Sequence, residues 1–92
     1  MAVYVDIAIW ERHGRHWCHL LADDDAQLHA FAAAMGIERR RFQCKPARPW
    51  VNHYDIDEDR RRTAIELGAG ELTRREVVEL VRRKRASVVG RR

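Results

Sequence analysis

The alternation at the start of the chain dictates a sheet. Val3, Val5, Ile7 and Ile9 interleave with Tyr4, Asp6, Ala8 and Trp10, the period-two pattern of a strand with one strongly apolar face. Asp6 then falls on the opposite face. Glu11-Arg12-His13-Gly14 is polar and holds a glycine, so it reads as a turn. Arg15 to Ala22 follows as a second strand, with Trp17, His19 and Leu21 on one side and Cys18 and Leu20 on the other. His19 therefore belongs within the sheet. At 92 residues the chain has room for one domain and one core.

Helical signals take over after the second strand. Asp24 with Gln27 three residues on fits a capping-box variant, and Leu28, Phe31, Ala32 and Met35 recur at helical spacing up to Gly36. His29 sits on the flank of that stripe. A short strand is expected at Phe42-Gln43. Pro46 and Pro49 make Cys44 to Asn52 an extended loop with Trp50 near its tip. His53-Tyr54-Asp55 continues from that loop, and Asp55 or Asp57 is placed to cap a second helix running to about Leu67 and stopping at Gly68. Thr73-x-x-Glu76 is a capping box ahead of Val77, Val78, Leu80 and Val81, which predicts a third helix ending at Arg82-Arg83-Lys84-Arg85. The expected fold is a small single α+β domain over residues 1–86, a short sheet of three to four strands covered by about three helices. Residues 87–92 read as a basic, frayed tail. A parallel pairing of the first strand with a later one stays open.

The net charge of +4 is unevenly spread. Residues 1–37 carry Arg12 and Arg15 against Asp6, Glu11, Asp23, Asp24 and Asp25, so the excess of positive charge lies in the rest of the chain. Sixteen of the 18 basic residues are arginine, which a GC-rich genome also produces, and this weakens composition as an argument for phosphate contacts. No run approaches the length of a transmembrane helix and the start lacks a signal-peptide pattern, so a cytoplasmic protein with no membrane partner is expected. Cys18 and Cys44 are too few and too far apart for a disulfide framework and read as reduced thiols. Cys18 is not a nucleophile activated by His19, because adjacent strand residues face opposite ways. Neither G-x-x-x-x-G-K nor G-x-G-x-x-G occurs, which argues against ATP hydrolysis and a dinucleotide fold.

Chemistry concentrates on His19, His29, His53 and Asp55, with Asp6 as an addition. Three imidazoles and a carboxylate suit zinc or a similar ion if the fold brings them to one point. The spacing enforces nothing, since no H-E-x-x-H or i, i+4 histidine pair is present. Without metal the same groups serve as general acid and base. A phosphate-bearing ligand, nucleic acid or nucleotide, is the leading expectation, hydrolysed or simply bound in a pocket formed by these residues with Tyr54, Arg60, Arg61, Gln43 and Arg15. Trp50 or Tyr54 would act as stacking platform. The bland alternatives stand beside it. His19 can be a hydrogen-bonded sheet residue, His53 can bond a backbone carbonyl, Asp55 can cap a helix, and the clusters at Arg39–Arg41, Arg60–Arg62 and Arg82–Arg85 can be solvated faces. His13 and His16 lie beside a turn and read as incidental.

Val3-Tyr4-Val5-Asp6, Cys18-His19-Leu20 with Ala22-Asp23, Leu28-His29, Phe42-Gln43, His53-Tyr54-Asp55, Gly68-Ala69 and Glu71 together resemble a family of short bacterial and phage proteins known only as a domain of unknown function. The resemblance covers roughly residues 2–80 and implies no activity. The Cys44–Asn52 segment is longer here than in shorter relatives, and the arginine-rich C-terminus lies outside the resemblance. Three readings follow: a module for a phosphate-bearing ligand that needs no cofactor, a metal-binding enzyme in which His19, His29, His53 and Asp55 hold a divalent ion, and a non-catalytic accessory protein that docks a host protein. A homodimer would add buried surface to so small a domain.

Overall fold

The computed structural model describes residues 2–7 and 10–90. The elements run β1 (Val3–Val5), β2 (Trp10–Arg12), β3 (Arg15–Ala22), α1 (Asp25–Ala34), β4 (Phe42–Gln43), β5 (His53–Asp57), α2 (Glu58–Glu66), β6 (Gly70–Glu71) and α3 (Arg74–Val89). One mixed sheet has the order β4-β5-β3-β1-β6, with β2 paired to β3 as well. All pairings are antiparallel except β1 with β6, which is parallel. The α+β class is as expected, but the sheet has six strands in place of three to four.

The extra strands have identifiable causes. His53 to Asp57 is not loop but the strand paired with β3, and its alternation divides it between two faces: Tyr54 and Ile56 are buried in the core, while His53 and Asp55 are half-buried opposite. Asp57, not Asp55, caps α2, accepting a hydrogen bond from the Arg60 amide at 2.9 Å. The first strand also departs from the simple alternation. Val5 pairs with Leu20 and Trp10 with Trp17, so four residues (6–9) on one strand stand against two (18–19) on the other. Such an excess interrupts the ladder and re-aims side chains. Ile7, placed on the apolar face by periodicity, is 49% exposed, and Asp6 is buried. Ala8 and Ile9 lie outside the described residues.

Val3, Val5, Cys18, Leu20, Tyr54 and Ile56 form the inner face of the sheet, and α1 and α2 cover it with Leu28, Ala32 and Ala64. The Asp24 cap bonds the Gln27 amide at 2.8 Å as its sequence predicts, and Gly36 supplies the left-handed residue (φ 75°) that ends the first helical segment. Buried Asn52 ties the proline loop down, donating to Asp25 on α1 and accepting from the Lys45 amide, both at 3.0 Å. The Thr73–Glu76 capping box is complete. Helix α3 lies across part of the other face of the sheet, where Leu80 is buried beside Tyr4 and Leu72. It does not stop at Arg85 but continues to Val89, because Val88 and Ser87 flank Pro49 and Trp50 of the loop. Arg91 and Arg92 lie outside the described residues. Among the described residues no helix is long and apolar enough to cross a membrane.

Candidate functional site

The part of the second face that α3 leaves open carries a cluster of titratable groups. His19 and Asp55 are directly opposite in the β3–β5 register, and His53 lies two residues along on the same face. The imidazoles of His19 and His53 meet edge to face with centroids 4.6 Å apart. Asp55 Oδ1 lies 3.1 Å from His53 Nε2. One donor atom from each of His19, His53 and Asp55 lies within 4.8 Å of the others.

Each imidazole is oriented by its second nitrogen. His19 Nδ1 is 2.7 Å from Asp6 Oδ2, and the other oxygen of the same carboxylate accepts from the His19 amide, also at 2.7 Å. Asp6 follows Val5 in the register with β3, so it comes opposite His19, and its amide donates to the His19 carbonyl at 3.3 Å. Arg61 on α2 secures that segment by donating from Nε to the Asp6 carbonyl at 2.9 Å. His53 Nδ1 is 2.8 Å from the Val51 carbonyl oxygen. A carbonyl can only accept, so Nδ1 carries the proton and Nε2 faces Asp55. The hydrogen bond that His19 donates to Asp6 holds its imidazole above the ordinary range, against the lowering effect of burial. Side-chain exposures of 32% for His19 and 32% for Asp55 leave the cluster open to small molecules.

His29 is not part of this cluster. It sits on α1, across the sheet, where its ring packs edge-on against Phe42 and its Nδ1 lies 2.8 Å from the Tyr54 hydroxyl. Burial, with the Arg39 charge second, holds His29 below the ordinary range, and burial raises Tyr54. The phenol therefore donates and the neutral imidazole accepts. Tyr54 is 1% exposed and is a core residue, leaving no face for a ligand.

The arginines are distributed in the same discriminating way. Arg15 bonds Asp59 at 2.8 Å and Asp57 at 3.4 Å. Arg60 pairs with Asp57, Arg61 with Glu71 and Arg62 with Asp59. Arg15, Arg60 and Arg61 thus hold β3, α2 and β6 together. Gln43, opposite His53 in the β4–β5 register, lines an open cleft of about 300 Å³ together with Trp10, Trp17, Arg12, Arg41 and Asp55. His13, incidental by sequence, also borders that cleft. Trp50 lies elsewhere, under the Arg85 guanidinium at 5.5 Å from the ring centroid. Cys18 is fully buried and its thiol is pushed up to about 12 by burial, which fits an inert core residue.

Sequence reasoning overlooks Trp10, Trp17, Arg12 and Arg41. The available signal was the hairpin register. His13 and Gly14 both have positive φ (54° and 73°), as a two-residue type I′ turn requires, and this fixes Trp10 opposite Trp17.

No curated protein and no solved structure matches the chain. A family model described as "Protein of unknown function (DUF4031)" matches residues 3–84, and the chain belongs to that family.

Proposed function

We propose that the protein is a metal-dependent hydrolase of phosphate-bearing ligands, with His19, His53 and Asp55 as metal ligands and Asp6 as the group that orients His19. One observation carries this reading: both imidazoles have Nδ1 committed to an acceptor, and one donor atom from each of His19, His53 and Asp55 lies within 4.8 Å of the others. Histidines that ligate metals characteristically donate the other ring N–H to a carboxylate or backbone carbonyl. His53 Nε2 and Asp55 Oδ1 stand 3.1 Å apart, close enough to share a proton or a metal cation.

Two nitrogens and one oxygen leave coordination positions free, the hallmark of a catalytic centre, and imidazole with carboxylate suits zinc, manganese or iron. Ligands about 2.0–2.2 Å from one ion stand roughly 3–3.5 Å apart, so closing the cluster takes side-chain movement of about an ångström. A metal held by His19, His53 and Asp55 would supply an activated water for attack on phosphorus, and the departing oxygen would take up the proton that this water gives up. Hydrolysis consumes only water, and Arg12 and Arg41 beside Asp55 supply positive charge for an anionic substrate.

Equilibrium dialysis against Zn(II) or Mn(II), followed by elemental analysis, tests the centre. One ion per chain is expected in wild type and in His29→Ala, with loss in His53→Ala and Asp55→Ala variants of unchanged circular dichroism. Activity on an activated phosphodiester should vanish with chelator and return with metal. Folded wild-type protein that takes up neither ion overturns the reading.

A further inference from the structure

The geometry points to the cleft beside the cluster as a nucleotide subsite for single-stranded nucleic acid, in which an unpaired base stacks on the cross-strand indoles Trp10 and Trp17 while Arg12 and Arg41 contact phosphate. This deepens the proposed function and rests on it for the reaction, though not for binding.

Two of the three tryptophans of the chain stand opposite each other on the β2–β3 hairpin, on the side of the sheet that bears His19. The Trp10 ring is 4.9 Å from that of His19, so the indole platform borders the proposed metal ligands. Trp17 is locked in place because its Nε1 donates to the Arg12 carbonyl at 3.0 Å. Both indoles are only partly buried. Partly exposed indoles are flat surfaces, and every base has a π-face to lay on one. Within a duplex those faces are already stacked, so the platform selects unpaired bases.

The cations in the same cleft differ from those of β3 and α2. Arg15, Arg60, Arg61 and Arg62 each have a carboxylate partner. Among the described residues, neither Arg12 nor Arg41 has a carboxylate within ion-pairing distance. They stand on different elements, β2 and the short 3-10 turn before β4, yet border one cleft with the indoles, Gln43 and Asp55. The Gln43 amide can both donate to and accept from a base edge.

The same base-plus-phosphate chemistry belongs to free nucleotides, and length dependence separates the two sources. The test is quenching of tryptophan fluorescence in metal-free protein under chelator, with a ten-residue oligo(dT), thymidine monophosphate and a duplex of equal length as probes. Binding of oligo(dT) at least ten-fold tighter than of the mononucleotide or the duplex is expected, with log K falling against log salt at a slope of about −1.4, the value for two phosphates on a single strand. Trp10→Ala and Arg41→Ala should each weaken oligo(dT) binding by about ten-fold or more, and Trp17→Phe guards against a Trp10 variant that unfolds. Equal binding of mononucleotide and oligonucleotide, preference for the duplex, or no quenching at low salt each overturns the inference. Because the titration excludes metal, its failure in a protein that still takes up one ion per chain defeats this inference alone. Tight oligo(dT) binding by a protein that takes up no metal defeats the earlier reading alone.

Discussion

The two faces of the sheet put histidine to opposite uses. On the inner face His29 is wedged against Phe42, accepts from the Tyr54 hydroxyl and is held neutral by burial. On the outer face His19 and His53 are each anchored through Nδ1 and converge on Asp55. Strand β5 supplies both environments within three consecutive residues, because side chains alternate across a strand. The contrast teaches that a histidine's partners, not its abundance or its neighbours in sequence, decide whether it is packing or chemistry. His-Tyr-Asp is not one motif but two half-sites on opposite sides of a sheet.

The largest effect should come from breaking the packed side. Tyr54→Ala is expected to cost about 3–5 kcal/mol in chemical denaturation, since it empties a fully buried aromatic site, whereas His53→Ala on the open side should change the stability of metal-free protein far less. Comparable losses for the two would erase the distinction between the faces. Next comes Asp6→Asn, which leaves all three proposed ligands in place but weakens the acceptor that fixes His19. Metal affinity measured by competition with a chelating dye should fall about 10–100-fold, and an unchanged affinity would mean that Asp6 does not orient a ligand. Helix α3, which covers only part of the outer face, depends on its capping box, so Thr73→Ala should cost about 1 kcal/mol of stability. A shift confined to metal affinity, with no loss of stability, would contradict that role.

The smallest effect is the pH response of His29. Its folded-state pKa lies below the ordinary value near 6.5, so the unfolded chain takes up the proton first. The stabilisation is present above about pH 6.5 and is lost as pH falls toward the lower folded pKa. Comparing denaturation midpoints at neutral and mildly acidic pH, wild type should lose more stability than His29→Gln. An equal loss in both would show that His29 does not titrate as its packing requires.

Much of this was legible in the residues. The Asp24 and Thr73 caps, the stop at Gly36 and the two faces of β3 follow from local chemistry that the tertiary structure leaves intact. Strand β5 was harder to read, since two prolines precede it and three acidic residues within or next to it resemble a helix N-terminus, although His53, Asp55 and Asp57 against Tyr54 and Ile56 is a period-two pattern. The interruption after Val5 was not legible at all. Val3 to Ile9 alternates without a break, and only the register with β3 reveals four residues set against two. The alternation places Asp6 correctly beside His19 and fails only at Ile7, which it assigns to the apolar face and which is exposed. His29 joined the candidate ligands by residue type, and the side of the sheet on which its helix packs removed it.

The sheet ends in two very short strands, β4 and β6, each of two residues. An edge of that length offers a neighbouring chain almost no ladder of free amides and carbonyls to extend, which is how natural sheets avoid edge-to-edge aggregation. Growth of the sheet through β4 or β6 into a second copy is thereby disfavoured.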